Sequence, residues 1–205
     1  TEMRLLRIHL NAISDISPLT NLTRLNQLRI YDNQIEDITA LSDLDELTLL
    51  WAHNNQIQDI GALAGKPGMQ QLSLNDNEIS DLSALRQMEH LEYLFLSNNQ
   101  IYDVSPLRRL HALQVLRLEN NSITDVSALA GLSSLRELSL AQNWSLYDVR
   151  PLFLNAGMGE GVELDLRFTH VRCSDMDAFE RLGVDLLRVT AINGSACEGR
   201  RLEDP

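Results

Sequence analysis

LTLLWAHNNQIQDI, residues Leu47 to Ile60, is the unit from which this chain is built. Its skeleton of Leu47, Leu50, Ala52, Asn55, Ile57, Asp59 and Ile60 stands twenty-two residues earlier as Leu25, Leu28, Ile30, Asn33, Ile35, Asp37 and Ile38. Twenty-two residues later it stands as Met69, Leu72, Leu74, Asn77, Ile79, Asp81 and Leu82. A fixed period of this length marks a stack of like units, a solenoid. One unit cannot bury its own apolar face, so the core exists only between stacked neighbours. In both directions from the quoted stretch, units begin at about Met3, Leu25, Leu47, Met69, Leu91, Leu113 and Leu135.

Within a unit, apolar and variable residues alternate with period two, which predicts a short strand, and stacking makes the strands parallel. Leu6, Leu28, Leu50, Leu72, Leu94, Leu116, Leu138, Leu164 and Leu187 then form one inward column. The next runs from Ile8 through Ile30, Ala52, Leu74, Leu96, Leu118, Leu140 and Leu166 to Val189. The asparagines Asn11, Asn33, Asn55, Asn77, Asn99, Asn121 and Asn143 turn inward where each strand ends, and their amides satisfy backbone groups that the turn leaves unpaired. The aspartates Asp15, Asp37, Asp59, Asp81, Asp103, Asp125 and Asp148 each precede an apolar residue and a motif such as S-P-L or S-A-L. They read as caps of short helical turns, with Pro18, Pro106 and Pro151 at early positions where a missing N–H costs little. Calcium needs several oxygens converging on one point, and this ladder offers one carboxylate per layer.

Acidic residues outnumber basic ones by 29 to 17, and the formal net charge of −12 argues against nucleic acid or an anionic membrane as partner. Lys66 is the single lysine. No apolar run approaches the roughly 18 residues of a spanning helix, so no membrane insertion is expected. No signal peptide opens the chain, although a mature secreted protein would look the same. Met3, Leu6 and Ile8 form a first layer with nothing before them to cover it. Thr1 therefore reads as a trimmed boundary with the N-terminal cap missing, or the open edge reads as the seat of a weak dimer of an otherwise monomeric protein.

The pattern N-x-I-x-D-I-x-x-L-x-x-L, matched by Asn33 to Leu44 and by Asn99 to Leu110, resembles the leucine-rich repeats of the internalin and SDS22-like class. The resemblance covers roughly Met3 to Leu152. It implies an α/β fold, a leucine-rich-repeat solenoid curved as a right-handed horseshoe, with a parallel sheet on the concave face and short helical or extended turns on the convex face. Most members bind other proteins on the concave face. Internalins are bacterial surface or secreted proteins, whereas SDS22 is an intracellular phosphatase regulator, so an architecture is implied more securely than a ligand.

The division expected is leucine-rich repeats over 1–160, irregular last repeats and a C-terminal cap over 161–197, and a tail over 198–205. Trp144-Ser145-Leu146 adds one residue before Asp148, Asn155 to Gly161 adds a glycine-rich loop, and Thr169 and Cys173 stand where Asn and Asp belong. Asp177 to Leu182 reads as helical, and a final strand is expected at about Leu186 to Val189. Both cysteines, Cys173 and Cys197, fall in this closing segment. Their placement suggests a disulfide worth on the order of 3 kcal/mol and an extracytoplasmic location; two reduced thiols and a cytoplasmic location are the alternative. Asn-x-Ser/Thr triplets at Asn21, Asn120, Asn143 and Asn193 are weak glycosylation signals.

Function is expected at strand positions the repeat does not dictate, which point outward on the concave face. Arg29, Tyr31, Leu49, Trp51, His53, Ser73, Tyr93, Phe95 and Arg117 fall there. With strands about 4.8 Å apart, Trp51 and Phe95 lie roughly 10 Å from each other across Ser73. Aromatic residues make up 5% of the chain, yet Tyr31, Trp51, Tyr93 and Phe95 share this stripe, the composition of a protein-binding surface. Glu119, Glu137, Glu163 and Asp165 gather towards one end, suiting a partner with a basic patch and an apolar plug. No nucleophile, base and orienting group fall together, so the expectation is a non-enzymatic protein-binding module without metal or cofactor; an intracellular SDS22-like scaffold or regulatory subunit, or a structural spacer without its own ligand, is the alternative.

Overall fold

The computed structural model describes residues 2–187. Nine strands form one parallel sheet in sequence order: β1 (Leu5–Arg7), β2 (Gln27–Arg29), β3 (Leu49–Trp51), β4 (Gln71–Ser73), β5 (Tyr93–Phe95), β6 (Val115–Arg117), β7 (Glu137–Ser139), β8 (Glu163–Asp165) and β9 (Asp185–Leu187). Opposite the sheet, 3-10 turns such as Ser17–Leu19, Ser83–Leu85 and Ser105–Arg109 complete each unit. The result is a right-handed leucine-rich-repeat solenoid with the sheet on its concave side.

Each feature follows from the repeated skeleton. The middle residue of every strand from β2 to β8 is buried, and the leucines and isoleucines of successive units form one continuous core from Ile16 to Leu186. Leu6 and Ile8 are only half-buried, because β2 covers them from one side. The asparagine ladder closes the strand ends: Asn77 Nδ2 donates to the Ala52, Leu74 and Asn75 carbonyls at 3.1 Å each, and its Oδ1 accepts from Ile57 N–H at 3.0 Å. The residue before each asparagine has a left-handed backbone, with φ of 54° at Asp32 and Asn54 and 55° at Asp76. Asx side chains tolerate this region; Leu10, Gln142 and Phe168 adopt it where the column departs from Asx. The aspartates cap the turns, as in Asp37 Oδ1 accepting from Thr39 N–H at 2.7 Å. These N–H groups hold the Asp15 and Asp37 carboxyls below the ordinary carboxylate range.

The end of the array departs from the twenty-two-residue period. The helix α1 spans Cys173–Arg181, starting four residues earlier than the Asp177 expected. Gly183 N–H donates to Glu180 O at 3.0 Å and Val184 N–H to Phe179 O at 3.1 Å, with Gly183 at φ 76°, which is a Schellman ending. This ending buries Val184 and so turns Leu186 inward, paired with Leu164, while Leu187 pairs with Asp165. Leu186, in register with Leu164, therefore continues the inward column where Leu187 was expected, and Val189 lies outside the described residues. In the turn column Leu44, Lys66, Met88, Leu110 and Leu132, the lysine is fully enclosed. Its Nζ donates to Ser42 O at 2.9 Å and lies 3.5 Å from Asp45 Oδ1, and burial pulls its pKa below the usual lysine value.

Candidate binding face on the sheet

Strand register decides which outward side chains are neighbours. Gln27, Leu49, Gln71, Tyr93, Val115 and Glu137 follow one another across β2 to β7, and Arg29, Trp51, Ser73, Phe95 and Arg117 follow one another across β2 to β6. Trp51 and Phe95 thus share a row with Ser73 between them. A third row, just past the strands, holds His9, Tyr31 and His53, whose rings stack with centroids 4.3 Å and 4.4 Å apart.

These side chains hold one another in place. Tyr31 lies 6.3 Å from Trp51 in a tilted contact, and the Arg29 guanidinium sits 4.2 Å from the centre of the Trp51 ring. Arg117 approaches Phe95 at 5.5 Å while its Nε donates to Glu137 at 2.5 Å. A cation over a half-buried ring contributes about 1 kcal/mol, enough to favour one rotamer of a flexible arginine. The mutual packing leaves the outward-pointing Tyr31, Leu49, Trp51, Tyr93 and Phe95 half-buried.

Ser73 is buried, and its Oγ is 3.1 Å from His53 Nδ1. Burial lowers the His53 pKa, with Asp32 and Asp76 opposing, so His53 favours the neutral form. The pair resembles a nucleophile and base, but no hydrogen bond among the described residues orients the other ring nitrogen. The pairing reads as a fixed floor between Trp51 and Phe95.

The acidic end of the face is less available than the sequence suggests. Asp165 is 3% exposed and held by Arg167, whose Nε donates at 2.9 Å and Nη2 at 2.6 Å. Ser97 Oγ donates to Glu119, Arg117 holds Glu137, and Glu163 remains exposed. A second aromatic group went unrecognised in the sequence. Trp144 and Phe168 lie 5.9 Å apart, Tyr147 stacks on His170 at 4.8 Å, and Trp144 and Tyr147 are exposed. Their signal was available, because Trp144 follows Asn143 and Phe168 occupies the left-handed position of its unit. A large concavity of about 680 Å³, lined by Glu92, Gln114, Ser134, Arg136 and Glu160, lies before the strands rather than on the aromatic rows, and it is open and polar.

Among the described residues no free cysteine is found, and Cys173 opens α1; Cys197 lies outside them, so the expected bridge falls partly outside the described structure. Likewise, no group of three or more His, Cys, Asp or Glu among them is placed to hold a metal, and no helix is long and apolar enough to cross a membrane.

The family model for leucine-rich repeats in tandem pairs matches residues 1–43, 45–87, 89–131 and 111–151. Among solved structures, an internalin from Listeria monocytogenes is 30% identical with a TM-score of 0.80, over 95% of this chain and 58% of that one. Internalin C2 from the same organism is 30% identical with a TM-score of 0.79, over 89% of this chain and 80% of that one. A leucine-rich repeat protein from Leptospira interrogans, 19% identical with a TM-score of 0.72 over 90% of this chain and 54% of that one, shares the fold. The chain thus spans under two thirds of the first and third of these proteins. No curated protein sequence matches it.

Proposed function

Because this chain belongs to the leucine-rich repeat family and is internalin-like, we propose that it is a non-enzymatic module that binds a protein ligand on its concave face, in a bacterial secreted or surface protein. Proteins of this family generally mediate protein–protein interaction. The observation that carries the reading here is the row Arg29, Trp51, Ser73, Phe95 and Arg117, beside stacked Tyr31 and His53. Large rings already fixed by their neighbours lose little rotamer entropy on binding, and covering them removes apolar surface from water. Leu49 and Tyr93 widen the apolar strip on the neighbouring row.

The test is affinity capture of extracellular host or bacterial proteins on the immobilised chain and on a Trp51→Ala/Phe95→Ala variant. Proteins held by the parent should be lost from the variant. Recovery of the same proteins in the same amounts by both would remove the aromatic row from the reading. An extracytoplasmic location is proposed with it, resting on the internalin likeness and the expected Cys173–Cys197 bridge.

A further inference from the structure

The outward arginines of the sheet are treated differently in its two halves. Arg117 is engaged by Glu137 at 2.5 Å and Arg167 by Asp165 in a forked pair. Arg7 and Arg29, adjacent in register on β1 and β2, have no carboxylate within 4.0 Å among the described residues, although the chain carries 29 acidic residues. Arg29 is nevertheless held still, stacked 4.2 Å over Trp51. Its Nε is enclosed with no acceptor among the described residues, so the terminal amino groups of the guanidinium are the donors that a partner can reach. Arg7 and Arg29 start from neighbouring backbone positions on strands about 4.8 Å apart, so two like charges lie on the same edge of the face and an anion there is favoured.

We infer that Arg29, with Arg7 beside it, is the seat for a side-chain carboxylate of the protein partner, an aspartate or glutamate that lies against the Trp51 ring. The inference deepens the binding-face reading and rests on it. The guanidinium presents a planar fork that matches a carboxylate, and its stacking on Trp51 removes much of the ordering cost that a free arginine carries. It also gives the face a direction: the partner's acidic residue belongs at β1 and β2, away from exposed Glu163 and Asp185 on β8 and β9.

The experiment uses random peptides displayed on phage, selected on the immobilised chain and sequenced. Peptides recovered by the parent should be enriched in Asp and Glu by at least about threefold over the unselected pool, as a charge-assisted fork demands. Arg29→Gln should abolish this enrichment. Arg24→Gln, at an arginine that already lies 4.0 Å from Glu46, should keep it. Arg29→Lys retains charge but not the fork and should give an intermediate enrichment, which guards against loss of fold in the glutamine variant. No acidic enrichment on the parent, or equal enrichment on Arg29→Gln, overturns the inference. If Trp51→Ala/Phe95→Ala abolishes recovery while Arg29→Gln selects the same acidic peptides as the parent, the carboxylate seat alone fails. If the double variant recovers the parent's peptides unchanged, the binding-face reading fails with it.

Discussion

Replacing Asn77 by alanine tests how the solenoid holds its units together. Asn77 is 8% exposed and joins two adjacent units through its side-chain amide. When it is removed, the carbonyls it served keep other partners: Ala52 O retains Asn55 Nδ2 at 3.1 Å, Leu74 O retains Asn99 Nδ2 at 3.0 Å, and Asn75 O retains Asn54 N–H at 2.9 Å. The group left wholly alone is Ile57 N–H, which had Asn77 Oδ1 at 3.0 Å. An enclosed N–H without an acceptor costs about 1–3 kcal/mol, and the two lost amide hydrogens add roughly 1 kcal/mol each, so the expected loss is about 4 kcal/mol. Asn11 supplies the internal control, since it is exposed and donates only to Ile8 O at 3.2 Å and His9 O at 2.8 Å. Water can replace it, and Asn11→Ala should cost under about 1 kcal/mol. Urea unfolding followed by circular dichroism measures both variants, and amide hydrogen exchange at Ile57 should accelerate in the first alone. Equal shifts of the urea midpoint for Asn77→Ala and Asn11→Ala would refute the ladder account.

Lys66→Met should stabilise the protein by about 1–2 kcal/mol, because an apolar side chain of similar length suits the leucine column better than a buried amine. Since burial lowers the native pKa of Lys66, the unfolded chain binds more protons between that value and 10.5; parent stability should rise with pH through this window, and the rise should vanish in the variant. Gly157→Ala should lose about 2–3 kcal/mol, because the new Cβ would stand 2.1 Å from the Ser133 carbonyl oxygen, whereas Gly68→Ala meets open space and should be neutral or slightly stabilising; thermal melts separate the two. Asp148, held at about 2 by Arg150, contributes stability that is present above 3.8 and lost as pH falls through about 2. Acid titration of Asp148→Asn should therefore lack that part of the parent's slope. Unreduced protein treated with iodoacetamide should take up no label if Cys173 and Cys197 are bridged, and labelling at both would set the bridge aside.

The repeat itself was legible in the residue order because each unit touches only its neighbours. A period of twenty-two then places Leu28, Leu50 and Leu72 in one column, Asn33, Asn55 and Asn77 in another, and Asp37 and Asp59 at the turns. Alternation within a strand also decides that Trp51 and Phe95 share the outward side, since successive side chains point to opposite faces. Where the period ends, counting misleads: the Schellman ending of α1 made Leu186 the inward residue in place of Leu187. Counting also could not show what long side chains do once side by side. That Arg29 rests on Trp51 while Arg117 turns to Glu137, that Tyr31 is held between two histidines, and that Asp165 is already occupied by Arg167 depend on rotamers chosen among several neighbours at once. A period constrains backbone positions, whereas these contacts arise from torsions that only the packed neighbours select, and on them depends which charges of the face are left for a partner.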